Sequence, residues 1–443
     1  MARLYPFHAL RYDTDRVNLQ DVVTQPYDKI STEMQDAYYE ASPYNLIRVI
    51  LGRKKPGDTE AENVYTRAAA TLNEWRAEGI LREEAEPALY GYSQTYTVPG
   101  TDEVRERRGF IALGHLYDYA EHVVYRHEQT FPKHKSDRLA LFKATRAYCE
   151  QIYMLYSDPT FTAERLIFGE GKAADLEVTD EYGVLHRVWK LADPALISQV
   201  LAAMEDKKLI IADGHHRYET SVGYMHERAA ELGIAEDAAP KISDGLPVPA
   251  FPEAAMMMTF VNMDAPGITI LPTHRVVFGL DGFDAGSFLE KAAPYFEVEK
   301  LAETDALALT KKLASTEGVA FVAATGDGDY LLRAKGSAID AELQGVSQHQ
   351  RSLDVVQLHK VVLEKLLGLS EETVRAGTNV RYLREASEAV EEVRAGKADV
   401  AFLTKPVTLE QMKDISFNLE VMPQKSTDFY PKLLSGLAMY TLD

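Results

Sequence analysis

The segment Ile210-Ile211-Ala212-Asp213-Gly214-His215-His216-Arg217-Tyr218-Glu219 concentrates residues suited to holding anions. An apolar strand approach over 207–212 runs into a glycine turn. A helix follows, with Tyr218, Val222, Met225 and Ala229 on one stripe. A helix start presents unpaired N–H groups and the positive end of the helix dipole. Gly214 has no side chain to block a phosphate, and His215, His216 and Arg217 add donors. The pattern describes an oligophosphate cradle without a Walker lysine. The plainer alternative makes Asp213 a helix cap and the histidines packing or surface groups. Two histidines and an arginine on one turn favour the cradle.

Other clusters offer complementary chemistry. Residues 126–146 carry Arg126, Lys133, Lys135, Arg138, Lys143 and Arg146 against Glu128 and Asp137. An anionic small ligand would account for such an island, and a solvated helix face is the alternative. Arg138 and Lys135 are its candidate phosphate contacts. Glu128 is placed to act as a general base toward a substrate hydroxyl, or simply to neutralise a neighbour. Leu271-Pro272-Thr273-His274-Arg275 ends a strand, which puts His274 and Arg275 where mixed sheets commonly line sites. The loop from Met422 to Leu433 is stiffened by Pro423 and Pro431 and carries Lys425, so it could fold back onto a site. Gln25-Pro26-Tyr27-Asp28 and Tyr44, Asn45 and Arg48 are dense polar groups that form either a binding wall or a brace.

The elements that must position these residues alternate in kind. Ser31 caps a helix over about 32–41, and Leu46 to Leu51 reads as a buried strand. Thr59 and Glu62 have capping-box spacing for a helix with Val64, Ala68, Leu72 and Trp75 on one stripe, ended by Gly79. Tyr90, Tyr92 and Tyr96 share one strand face, and a turn at 99–102 leads to a return strand at 109–117. Met256 to Met263 is a strand, a turn spans 264–267, and 268–277 is expected to be its partner. Beyond about 281, helices alternate with strands, with a hairpin turn at 326–329, an apolar helix at 354–366 and a short strand at 400–403. Hairpins beside such alternation give an α+β class with a mixed sheet.

Composition narrows the function. The chain has 443 residues, enough for two to four structural units at about 150 residues each. Hydrophobic residues make up 46% and charged residues 26%, which is ordinary for a folded chain. A net charge of −20 argues against general binding of nucleic acid or anionic membranes. Cys149 is the single cysteine, so an internal disulfide and cysteine-based zinc sites are excluded. No signal-peptide pattern or run of 18 apolar residues is present, so the expected location is the cytoplasm. There is no G-x-x-x-x-G-K-[ST], no G-x-G-x-x-G after a strand, no H-E-x-x-H and no G-x-S-x-G.

Six segments taken together resemble the bacterial and archaeal family called domain of unknown function 1015. They are VVTQPYDKIS (22–31), SPYNLIRVILG (42–52), RHEQT (126–130), ADGHHRYET (212–220), LPTHR (271–275) and KSTDFYPKL (425–433). The match runs over nearly the whole chain. More narrowly, Asp213 to Tyr218 is similar to the phosphate-binding turn of the ParB/sulfiredoxin superfamily, whose free serine kinases carry a D-G-H-H-R-like turn and an upstream His-Glu pair. The resemblance implies that His127-Glu128 is that pair, with Glu128 the base that activates a serine hydroxyl. It implies that Asp213, His215, His216 and Arg217 contact nucleotide phosphates, with His215 counted in the catalytic set. Sulfiredoxin chemistry is excluded, because this turn holds no cysteine.

The expected architecture is an N-terminal α+β region at 1–108, a ParB/sulfiredoxin-like nucleotide-binding core at 109–280 and a C-terminal α/β region at 281–443. The expected function is a phosphotransferase using ATP or ADP, with Mg2+, on a small hydroxylated metabolite. Free serine and O-phosphoserine lead, in either direction of transfer. The alternatives are a CTP- or ATP-responsive binding module without turnover, a phosphoserine phosphatase and, last, a ParB-like nuclease. Tyr44, Asn45, Arg48, His274, Arg275 and Lys425 are the substrate-binding candidates. Oligomeric state, a homo-oligomer included, stays open.

Overall fold

Long runs of alternating or continuous apolar residues build two large sheets, each in its own unit, beside four two-stranded ones. The computed structural model describes residues 2–130, 132–169 and 171–443, without the side chains of 132–135. The first unit comprises Met1–Tyr125, Thr130–Ile268 and Pro431–Asp443. The second comprises Arg126–Gln129 and Thr269–Tyr430. The boundaries expected near 108 and 280 are set beside a division in which the chain leaves the first unit and returns to it.

The first unit is built on a nine-stranded sheet. Its strands are β1 (Leu4–Tyr5), β2 (Leu89–Thr97), β3 (Val104–His115), β4 (Val124–Tyr125), β5 (Ile152–Tyr156), β6 (Leu176–Thr179), β7 (Leu185–Leu191), β8 (Leu209–Asp213) and β9 (Ala255–Asn262). The order is β4-β8-β5-β9-β3-β2-β7-β6, with β1 paired to β3. β8 runs parallel to β4 and antiparallel to β5, and β9 runs parallel to β5, so the sheet is mixed. β9 lies at the centre and is buried along its whole length, which explains its apolar Met256-Met257-Met258 run. Tyr90, Tyr92 and Tyr96 are all buried on β2.

The second unit holds a six-stranded sheet of β10 (His274–Val277), β11 (Phe296–Lys300), β12 (Ala320–Thr325), β13 (Gly328–Ala334), β14 (Val380–Leu383) and β15 (Val400–Leu403). The order is β11-β13-β12-β15-β10-β14, antiparallel throughout. The hairpin turn expected at 326–329 falls on Gly326-Asp327, which join β12 to β13, while Gly328 and Asp329 are already paired in β13. Period-2 alternation gives the sheet two cores. Val277, Phe321, Ala323 and Phe402 pack on one side. Val276, Val322, Ala324 and Ala401 pack on the other. The apolar helix expected at 354–366 is present, but most of it, Leu358–Leu366, is π-helical.

Three local expectations are corrected. Residues 46–51 are not a strand; Ile47–Ile50 is a short helix, and the Asn45 side chain accepts the Ile47 N–H at 2.9 Å. The helix Val64–Ala77 is capped by Asn63 with Thr66 as the reciprocal partner, not by Thr59 and Glu62. Residues 268–277 do not form one strand against β9. Pro272 separates Thr269–Leu271, which pairs with Asp428–Tyr430, from β10, which pairs with β14 and β15. The helix Thr32–Ala41 starts as expected, with Ser31 accepting the Met34 N–H at 3.2 Å.

Candidate functional site

The helix His215–Leu232 leaves the end of β8 through Gly214. Gly214 has φ +96°, and a Cβ there would meet Arg217 Nη2 and Ile152 Cδ1 at 3.1 Å each. The left-handed turn therefore requires glycine on both conformational and spatial grounds. Gly214 has no side chain to cap the helix, so the first turn presents backbone N–H groups without a side-chain acceptor from the N-cap.

Around this turn lies a buried network of charges. Lys432 Nζ donates to Asp213 Oδ1 at 2.8 Å, and Arg217 Nη2 donates to Oδ2 at 3.0 Å. Burial opposes the Asp213 charge, but Lys432 and Arg217 outweigh it and hold the carboxyl well below the usual range. Arg217 also donates from Nη1 to the Gln151 carbonyl at 2.7 Å and lies 3.9 Å from Glu150. Glu150 in turn lies 3.5 Å from Arg138 and accepts the Tyr27 N–H at 3.0 Å. Arg138 sits over the Tyr27 ring, 4.1 Å from its centroid, and donates to the Ile50 carbonyl and to Asp137. Asp213, Gly214, Arg217 and Arg138 thus belong to one corner of the first unit. His215 is buried and His216 half-buried on the same helical turn. Lys135 lies outside the described residues.

Reading the sequence did not single out Glu150, Gln151 and Lys432. A signal for the first existed, because Glu150 and Gln151 interrupt the apolar stretch from Tyr148 to Tyr156. An acid there needs a buried partner. Lys432 lies in a segment that drew attention for Lys425 instead. It is anchored by its own carbonyl, which accepts from Gln94 Nε2 at 2.7 Å, and by Pro431, whose carbonyl accepts from Arg107 at 2.6 Å.

Tyr44, Asn45 and Arg48 lie in the first unit and engage its backbone. Asn45 donates to the Asp21 carbonyl at 2.8 Å, Arg48 to the Tyr39 carbonyl at 2.9 Å, and the Tyr44 carbonyl accepts from Tyr12 at 2.9 Å. Cys149 is buried, which pushes its thiol up to about 12.

His127, Glu128, His274, Arg275 and Lys425 belong to the second unit. There Glu128 grips a turn. Its Oε1 accepts from the N–H groups of Ser426 and Thr427 and from the Thr427 hydroxyl, each at 3.0 Å. Its Oε2 accepts the Lys425 N–H at 3.3 Å. His127 is buried, with Nε2 2.8 Å from the Thr427 hydroxyl. His274 Nδ1 accepts the Thr404 N–H at 3.2 Å, and Arg275 Nη2 donates to the Lys425 carbonyl at 3.2 Å.

For a metal, one cluster among the described residues brings His and carboxylate ligand atoms within 4.8 Å of one another, Asp118, His226 and Glu236. His226 uses both nitrogens on the two acids, at 3.3 and 2.8 Å. Burial opposes the charge on His226, but the bonds to Glu236 and Asp118 outweigh it and raise its pKa, which favours an ion-paired imidazole over a metal ligand. At the Gly214 corner, Asp213 is occupied by Lys432 and Arg217. That acid does not offer a ready Mg2+ ligand. No helix among the described residues is long and apolar enough to cross a membrane.

The chain belongs to the family described as protein of unknown function, DUF1015, whose model matches residues 4–356. No curated protein matches it. Among solved structures it is similar to a conserved hypothetical protein from Pyrococcus furiosus, at 13% identity and a TM-score of 0.33 over 70% of this chain and 89% of that one. A free serine kinase in complex with AMP is 14% identical, with a TM-score of 0.32 over 69% and 83%. SbnI with a C-terminal truncation, from Staphylococcus aureus, is 12% identical, with a TM-score of 0.34 over 71% and 86%. Likenesses of this size say nothing of this chain's own chemistry.

Proposed function

We propose that this protein is a nucleotide-dependent phosphotransferase acting on a small hydroxylated metabolite, with free serine and O-phosphoserine as the leading pair. The observation that carries the reading is the left-handed Gly214 at the head of an 18-residue helix, hedged by Arg217, Asp213 and Lys432. Phosphoryl transfer asks a protein mainly for positioning and charge neutralisation, which such a corner supplies. In this reading Gly214, His216 and Arg217 hold the phosphates of ATP or ADP, with Asp213 fixing Arg217. His215 belongs to the catalytic set, and the ParB/sulfiredoxin-like character of the turn is part of the same proposal. Mg2+ would be supplied with the nucleotide. In the second unit, Glu128 is the base we assign to the proton of a substrate hydroxyl, with His127 beside it.

A second reading, a nucleotide-responsive module without turnover, is favoured by one observation. The Glu128 carboxylate is engaged by three backbone N–H groups and a hydroxyl, which suits a brace. Two measurements separate the readings. ATP or ADP supplied with serine, or ADP with O-phosphoserine, is expected to give the phosphate-transfer product. Glu128→Gln is expected to abolish that turnover with nucleotide affinity retained, and to lower the melting temperature only slightly, because an amide nitrogen cannot accept the Lys425 N–H. No product with any common nucleotide, or a Glu128→Gln variant that turns over normally, removes the enzyme reading. For the corner itself, Gly214→Ala is expected to weaken nucleotide binding at least tenfold, and unchanged affinity would move the nucleotide elsewhere.

A further inference from the structure

The second unit contains a guanidinium, that of Arg275, that is 1% exposed; the Glu128 carboxylate acts on it as an opposing charge, but no hydrogen bond joins the two among the described residues. Arg275 lies on β10 directly opposite Tyr382 on β14, with its Cζ 5.4 Å from the Tyr382 ring centroid. Nη1 donates to the Thr273 carbonyl and Nη2 to the Lys425 carbonyl, while Nε has no partner. Two carbonyls are a poor match for a fork with five N–H groups and a full charge. Burial lowers its pKa to about 10, so the group stays charged at neutral pH. An interior charge of this kind is costly unless an anion meets it directly, and Glu128, which faces it, spends its oxygens on the turn at 425–427.

The neighbours of Arg275 are also incomplete. His359 Nε2 is buried without a hydrogen-bond partner, and the buried Tyr382 Oη has only Gln424 beside it as a weak partner. His359 is 8% exposed, and burial followed by the Arg275 charge holds it well below its usual pKa, so it is neutral. It sits in the π-helical segment Leu358–Leu366, a distortion that concentrates at functional sites. Gln357, just before that segment, carries an unpartnered Oε1. Lys425 is exposed and left-handed at φ +58°, an unusual conformation for lysine, with its N–H held by Glu128 and its carbonyl by Arg275.

We propose that Arg275 is the carboxylate-binding residue of the second unit, taking the carboxylate of a small metabolite with Tyr382 and His359 as further donors and Lys425 as a second cation. The carboxylate takes Nε and Nη2 of the fork in a two-point contact, and the Lys425 carbonyl gives up Nη2 when it binds. The inference rests on the phosphotransferase reading only in making this metabolite the acceptor, which then carries a carboxylate as well as a hydroxyl.

Calorimetric titration of the full-length, nucleotide-free protein tests it with four probes: L-serine, O-phospho-L-serine, and their decarboxylated counterparts ethanolamine and phosphoethanolamine. The two carboxylates are expected to bind at least tenfold more tightly than their counterparts. Arg275→Lys is expected to weaken them at least tenfold, and Lys425→Met about threefold. Equal affinity for both pairs, binding of none of the four, or wild-type binding of serine by both variants overturns the proposal. If Arg275→Lys does not unfold cooperatively, Tyr382→Phe and Lys425→Met replace it, and wild-type serine affinity in both is again a refutation. ATP titrated into the same samples keeps the outcomes apart. Retained ATP binding without carboxylate binding sinks this inference alone, and the reverse sinks the nucleotide assignment alone.

Discussion

A histidine sealed from water must stay neutral, and His274 is held that way by its surroundings. Burial and then the adjacent Arg275 charge lower its pKa to about 4, and its Nδ1 serves as acceptor for Thr404. In the unfolded chain the same group titrates near 6.5. Between those values the unfolded state binds a proton that the folded state refuses. Stability is therefore present above pH 6.5 and falls as pH drops toward 4, by about 3 kcal/mol for this residue. His115 in the first unit, also lowered to about 4 chiefly by burial, adds a loss of the same sign. Urea denaturation at pH 7 and pH 4.5 is expected to show the loss, and His274→Gln to reduce it. An unreduced loss would mean that His274 is already protonated in the folded protein. The residue types at this position were legible as candidates for binding. The pKa was not, because it depends on burial that only the assembled sheet creates.

Elements were legible where the signal was local and ambiguous where it was not. Ser31 reads correctly as a cap because the N–H it accepts, that of Met34, lies three residues away. Ile47-Arg48-Val49-Ile50 misleads, since β-branched residues suggest a strand, while Asn45 and Ser42 upstream were the competing helix-start signals. Thr59 and Glu62 fit the Ser/Thr-x-x-Glu box by spacing, yet Asn63 makes both bonds to the first turn. Asn63→Ala is thus expected to cost about 1 kcal/mol, seen as a lowered melting temperature. Thr59→Ala is expected to cost less, because it loses one exposed bond to the Glu62 N–H. Equal losses in a parallel melting experiment would restore the first assignment. Pro272 was visible in the sequence, but that the strand breaks there and changes partner follows from pairings with residues more than a hundred positions away.

At the scale of the molecule, the order of the chain and the order of the fold disagree. The first unit is interrupted by the second and closed by Pro431–Asp443. That closing segment puts Lys432 on Asp213, pairs Tyr440–Thr441 with Ala147–Tyr148, and offers the Leu442 carbonyl to Arg146. Nothing in composition or periodicity announces a partner 219 positions distant, so this part of the corner could not be read in advance. A chain ending at residue 430 leaves Asp213, Gln94 and Arg107 without these partners. It is expected to lose cooperative unfolding of the first unit, or at least 3 kcal/mol, since breaking a buried ion pair alone costs about 3–5 kcal/mol. Guanidinium denaturation of the 1–430 chain checks this, and a wild-type midpoint would mean that the segment is dispensable. The closing segment also sets a schedule. Lys432 follows Asp213 by 219 positions, so a ribosome makes the buried carboxylate long before its lysine. Asp213 stays one cation short until the whole of the second unit has been synthesised.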